Sequence, residues 1–309
     1  MSLSEMVIKS KIIPPQPQKA IFHRQLLQEH LATSLRYPLT MVHAGTGFGK
    51  TTALIELGSL YKKVFWYNIT EPDRDPTLFL AHLIASFLPD TAPLLDRLEK
   101  GGGAANMAVI NALINQLTTD LEEEAVLILD DFHLVSNVND ISQWLEQLVE
   151  QRPPHLHIAI ACRQIPETPA FIRWRVKGNV LIVDQSDLSF SQKEIFGLFS
   201  DHYQFPITNE QAQTLYSYTD GWIIALQMVW QRLQTSRSKN LDNILSELPS
   251  ALSDIFNFLA QEVLMRQPEP IQQFLVATSV LQQLDAECCN SLLNITNSET
   301  RSEERRVGK

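Results

Sequence analysis

The chain has 309 residues, enough for about two domains, with 44% hydrophobic and 19% charged residues, which excludes a disordered tail or a fibrous repeat. Its net charge of −10 makes the body a poor electrostatic partner for nucleic acid or anionic lipid. The three cysteines, Cys162, Cys288 and Cys289, form no disulfide framework, and no Cys/His group has zinc-ligand spacing. Reduced thiols and a cytoplasmic location are expected. The first twenty residues lack a signal peptide's apolar core, and no apolar run approaches the roughly 18 residues of a membrane helix, so no membrane partner is expected.

In chain order, residues 1–20 carry Pro14, Pro15 and Pro17 and are read as an extended arm. Ile21, Leu26, Leu27 and Leu31 recur at helical spacing. Leu39–Ala44 is a short β-rich run ahead of glycines, then a helix is expected over Lys50–Leu60 and a strand over Val64–Ile69. Thr77–Leu88 is an amphipathic helix, and Gly101–Gly103 reads as a break before a helix over 105–121. Ala125–Leu129 and His157–Cys162 are apolar without alternation, as parallel strands covered on both faces are; Asn179–Val183 is a fifth strand. A helix near 139–151 stops at Pro153-Pro154. Strands alternating with helices predict an α/β fold with a parallel five-stranded sheet flanked by helices. Past residue 190 only helices are expected, over 191–201, 208–219, 222–236, 241–248 and 251–266, with a further small domain beginning in 267–293.

The tract Ala44-Gly45-Thr46-Gly47-Phe48-Gly49-Lys50-Thr51-Thr52 follows the first strand and opens the next helix. It departs from the strict phosphate-loop pattern only in having Ala44 for the first glycine. The glycines permit positive φ and bring amides close to a phosphate, and the helix N-terminus adds partial positive charge. Lys50 supplies a full charge for the β- and γ-phosphates, and the Thr51 hydroxyl suits Mg²⁺. ATP or ADP with Mg²⁺ is the expected cofactor set, and the fold class sharpens to a P-loop NTPase.

The third strand ends in Asp130-Asp131, at the edge where open α/β sheets bind ligands. Asp130 is expected to hold the metal with Thr51, and Asp131 to orient or deprotonate the attacking water. Arg163, at the next strand end, is a candidate γ-phosphate sensor, and Arg24 a candidate for lining the nucleotide pocket. Trp222 follows Asp220-Gly221 at a helix start, packed either on the nucleotide side or in the core. His155 and His157 share a strand face, and two histidines make a weak metal case.

These residues resemble the nucleotide-binding module of the MalT-like, LuxR-type large ATP-binding transcriptional regulators, within the STAND signal-transduction ATPases. The resemblance runs through Lys11–Pro15, Phe22–Leu27, the loop 44–52, Phe65–Ile69, Leu127–Val135, Ala161–Pro166, Leu188–Glu194 and Thr219–Gln227. The D-D-F-H-L and D-G-W tracts are its specific parts. It implies an arm at 1–20, a P-loop domain at 21–205, a helical lid at 206–256 and the start of a winged-helix domain at 257–293. It also implies an ATP/ADP switch with slow hydrolysis, self-association in the ATP form and an inducer of unknown identity. DNA would be reached only through a helix-turn-helix that this sequence lacks. The polar stretch 294–309 is read as a disordered or artefactual tail, with the natural chain continuing beyond this one. The competing readings are an AAA-like motor, with Arg173 or Arg175 as finger, a P-loop kinase, and a scaffold with a vestigial loop.

Overall fold

Five segments rich in branched and aromatic side chains form one sheet: β1 (Leu39–His43), β2 (Lys63–Asn68), β3 (Ala125–Asp130), β4 (Leu156–Cys162) and β5 (Val180–Val183). The order is β2-β3-β4-β1-β5, and every pairing is parallel. Parallel strands need crossovers, so helices cover both faces and the strands are apolar on both sides. The computed structural model describes residues 2–16, 21–166, 168–235, 241–245, 269–279 and 286–293.

The two-residue period of a strand sorts β4 cleanly. Leu156, Ile158, Ile160 and Cys162 join one core, while Ala159 and Ala161 join the other. The large side meets α4 (Pro76–Phe87), α5 (Ala92–Asp120), α6 (Asn139–Glu150) and α7 (Pro169–Val176), through Phe79, Leu113, Trp144 and Phe171 among others. The small side meets α2 (Gln25–Ala32) and α3 (Lys50–Gly58), through Leu27, Leu31, Ala53, Leu54 and Leu57. Alanines on that face leave room for α3 against the sheet. Each fully buried leucine there contributes about 1.5–3 kcal/mol on leaving water.

Adjacent β4 and β1 send their connections to opposite edges of the sheet. Between their carboxyl ends lies the crevice where open α/β sheets take ligands. The chain divides into two units, Met1–Ile224 and Ala225–Lys309. The first continues through α8 (Gln185–Leu188), α9 (Gln192–Gly197), a π-turn at Leu198–His202 and α10 (Asn209–Thr219). Thus α10, in the stretch expected as lid, groups with the sheet. The second unit contains most of α11 (Ile223–Thr235), a helical stretch at 241–245, and helices Glu269–Thr278 and Ala286–Leu293. The expected helix at 251–266, the end of the one at 241–248 and the tail at 294–309 lie outside the described residues.

The structure departs from the sequence reading in three places. Gly101–Gly103 does not break the chain, because α5 runs unbroken from Ala92 to Asp120. Glycine costs about 1 kcal/mol per helical position, and buried Leu94, Leu95 and Leu98 before it with Val109, Ile110 and Leu113 after it offset that cost. Helix α7 has no counterpart in the sequence reading; Thr168 caps it and Pro169 starts it.

The arm is the third. Residues 2–13 are not simply extended: α1 (Leu3–Met6) and a 3-10 turn at Lys9–Ile12 pack on the sheet unit. Leu3 is buried, and the Lys11 ammonium meets both carboxylate oxygens of Asp73 at 2.8 and 2.7 Å, with Asp73 fully buried. Asp73 also accepts from the Thr70 amide at 2.7 Å and hydroxyl at 2.9 Å. The Ile8 amide donates to His82 Nε2 at 3.0 Å, which puts the imidazole proton on Nδ1, facing the Leu78 carbonyl at 2.9 Å.

Burial holds the His82 pKa below its ordinary value, against the Leu78 carbonyl and Asp73, which favour the cation, and with Lys11, which opposes it. Protonated Nε2 would face the Ile8 N–H donor to donor. Unfolded His82 binds the proton more readily, so its contribution to stability is complete above about pH 6.5 and is lost as pH falls through the folded value. His82→Gln keeps an acceptor for Ile8 without the titration. Unfolding free energies from denaturant titrations between pH 8 and 5 are expected to fall more steeply for the parent, by at most about 1.4 kcal/mol per pH unit. Parallel curves would refute this role for His82.

Candidate nucleotide-binding site

The loop between β1 and α3 is built from residues that let main chain turn tightly. Gly47 and Gly49 have φ of +79° and +85°, and Gly49 is the N-cap of α3, whose first residue is Lys50. The amides of this loop and helix start are the donors an anion would meet. Lys50 is buried, and its Nζ donates to the carbonyls of Ala44 and Gly45, each at 2.9 Å. Its ammonium is thus seated inside the curve of the loop.

β3 brings the carboxylates to the same place. Thr51 Oγ1 donates to Asp130 Oδ2 at 2.7 Å, and the Asp131 amide donates to Asp130 Oδ1 at 3.0 Å. Asp130 is buried, and burial raises its pKa above the ordinary carboxylate value, against the Thr51 hydroxyl; Asp131 raises it further, while Lys50 lowers it. A hydroxyl and a crowded carboxylate are hard oxygen donors, and a nearby dication would relieve the penalty on the charged carboxylate. The residues therefore fit Mg²⁺, a metal that takes one or two carboxylates plus substrate phosphates rather than a full protein cage. Among the described residues, no group of three His, Cys, Asp or Glu forms a metal site elsewhere.

Asp131 differs from Asp130 in exposure and backbone. It sits at φ 57°, ψ 34°, with a side chain 45% exposed and Oδ1 3.7 Å from His133 Nδ1. One aspartate is tied down beside Thr51, and its neighbour is half-exposed. Lys50 titrates below its ordinary value because of burial; Asp131 and Asp130 favour its cation, and Arg163 opposes it. The Cys162 thiol at the end of β4 is pushed up to about 12 by burial, with Lys50 pulling it down, so it stays neutral and is no nucleophile.

A profile of the MalT winged-helix domain matches residues 260–306. The curated HTH-type transcriptional regulator MalT of Serratia proteamaculans is 25% identical over 302 residues, 97% of this chain and 33% of that protein. Its namesake from Yersinia enterocolitica is 26% identical over 305 residues, again 97% and 33%. This chain is similar to both MalT proteins along nearly its whole length. It spans about a third of the length of these curated relatives. A solved Signal Transduction ATPase with Numerous Domains (STAND) protein with a tetratricopeptide repeat sensor, from Pyrococcus horikoshii, is 18% identical, with a TM-score of 0.49 over 90% of this chain and 37% of that one.

Ala44–Thr52, Asp130 and Asp131 come together at the carboxyl ends of β1 and β3, and Arg163, next after β4, lies near enough to Lys50 to oppose its charge. Arg24 has a different task from pocket lining. Its guanidinium donates to Glu194 Oε1 at 2.8 Å and Oε2 at 3.3 Å, and to the carbonyls of Asp187, Leu188 and Ser189 at 3.1, 2.7 and 2.8 Å. It also lies 4.3 Å from the Phe190 ring centroid. These five bonds fasten the segment after β5 to α2. Arg173 is exposed and held by Glu146 and Glu150 of its own chain, the latter at 3.1 Å. His157 bridges the Tyr37 carbonyl at 2.8 Å and Glu124 at 2.7 Å, and His155 meets the same Glu124 at 3.2 Å, so both serve the fold.

Two side chains from far along the chain bond to the loop's main chain. Gln185 Oε1 accepts from the Gly45 amide at 3.3 Å, and Trp222 Nε1 donates to the Thr46 carbonyl at 3.1 Å. A lone glutamine carries no sequence signal. Trp222 stood in a specific tract, but only the fold reveals which of its two expected surroundings it has.

Proposed function

We propose that this chain is the nucleotide-binding switch module of a transcriptional regulator, in which exchange of ATP and ADP, with slow hydrolysis, controls self-association. The observation that carries the reading is the 2.7 Å bond from Thr51 to Asp130, with the Lys50 ammonium seated beside it in the loop. Amides of 45–51 would bind the phosphates, Lys50 would grip the β- and γ-oxygens, and Thr51 and Asp130 would hold Mg²⁺. When bound, the metal neutralises phosphate charge. Asp131 would orient the attacking water and take its proton, and Arg163 would distinguish the triphosphate from the diphosphate. Two states that differ in contact with a γ-phosphate are what such a ligand needs to shift an equilibrium. The names of the curated relatives support the regulatory reading. The acidic net charge supports DNA contact through a segment other than this one.

Calorimetric titration with ATP and ADP, with and without Mg²⁺, tests this together with steady-state turnover. Saturable one-to-one binding of both nucleotides is expected, with turnover far below the roughly 1–100 s⁻¹ of kinases. Failure to bind either nucleotide, rapid turnover, or phosphoryl transfer to a small acceptor would reject it.

A further inference from the structure

The outer edge of the phosphate loop is gripped by a turn far along the chain. Asp220 and Gly221 lie at φ 47° and 73°, and this turn presents Trp222 to the loop. Gly221 accepts from the Phe190 amide at 2.9 Å, and a Cβ built on it would lie 2.2 Å from the Phe190 carbonyl oxygen. Only glycine brings the turn this close to Phe190, whose ring lies beside the Arg24 guanidinium. The buried Trp222 donates through Nε1 to the Thr46 carbonyl at 3.1 Å, with its rings 6.2 Å from Phe48. Ile224 lies so close to Gly47 that a Cβ there would come within 2.4 Å of its Cδ1.

The consequence follows from peptide geometry. The Thr46 carbonyl and the Gly47 N–H belong to one planar trans peptide and point in opposite directions. Fixing the carbonyl on the indole turns the Gly47 N–H away from it. We propose that Trp222 is a positioning residue for nucleotide: its N–H sets the Thr46–Gly47 peptide plane and so aims a loop amide, and its ring against Phe48 reports the state of the loop. This rests on the reading of 44–52 as a phosphate site.

Two variants of the full chain test it, with ADP and Mg²⁺ as the probe, at pH 8. Trp222→Phe keeps an aromatic ring and removes the N–H. Trp222→His restores a donor, because imidazole Nε2 occupies the place of indole Nε1 when the two five-membered rings are superimposed. Trp222→Phe is expected to weaken ADP binding about 3- to 10-fold, the effect of one neutral hydrogen bond, and Trp222→His to recover part of the loss. ADP should change the tryptophan emission of the parent and not that of Trp222→Phe, although four other tryptophans remain. If the parent binds no ADP, the phosphate-site reading itself fails. If the parent binds and Trp222→Phe binds equally well, or its loss is not recovered in Trp222→His, the positioning role is overturned.

Discussion

Lys50→Ala is expected to weaken ATP and ADP binding about 100-fold, as two charge-assisted hydrogen bonds of roughly 1.5 kcal/mol each would do. The lysine is already seated in the loop proposed to hold the polyphosphate. Its Nζ lies 2.9 Å from the Ala44 and Gly45 carbonyls, so little side-chain ordering is left for binding to cost. Burial works against its charge, and Asp131 and Asp130 work for it. The loop amides remain in the variant and account for the residual affinity. Folding should change little, because alanine removes a desolvated cation together with its two acceptor contacts. Calorimetry on parent and variant, with thermal midpoints as control, measures the split. The lowered pKa adds a direction: binding should weaken at alkaline pH, as the ammonium is lost below the ordinary lysine value. Affinity within two- or three-fold of the parent would show that Lys50 does not grip phosphate.

Much of this site was legible because its parts are local. The glycines and lysine of 44–52 lie within nine residues, and the Asp130-Asp131 pair ends a strand whose apolar run announces its burial. Strand spacing then brings Thr51 and Asp130 together without further information. What failed to show is what depends on partners far along the chain. Lys11 looks like a surface residue of a proline-bearing arm until Asp73, 62 positions away, makes it an anchor. Arg24 was a candidate for lining the nucleotide pocket from its place before β1; its acceptors between Asp187 and Glu194 carry no recognisable pattern. The glycines of 101–103 obey helix propensity only locally, and packing on both flanks overrides it. Gln185 and Trp222 meet the loop through the fold alone.

Asp131→Asn is expected to leave nucleotide affinity within a few-fold of the parent and to lower hydrolysis by about 10²–10⁴, the usual contribution of a positioned base. The substitution is clean for a backbone reason. Residue 131 lies in the left-handed region, at φ 57°, which asparagine adopts as readily as aspartate. Its amide keeps the bond to Asp130 Oδ1 at 3.0 Å, so the neighbouring carboxylate stays oriented toward Thr51. Only the charge and basicity of a half-exposed carboxylate are removed. Asp130→Asn would be a poorer test, since it disturbs the Thr51 contact and the proposed metal ligand at once. Because turnover is expected to be slow, release of labelled phosphate in a single turnover with excess protein is the suitable measurement. The variant should retain ATP long after the parent has converted it to ADP, and it should stay in the self-associated form by light scattering. Equal hydrolysis by parent and variant would move the base elsewhere in the crevice, with His133, 3.7 Å from Asp131, the next residue to substitute.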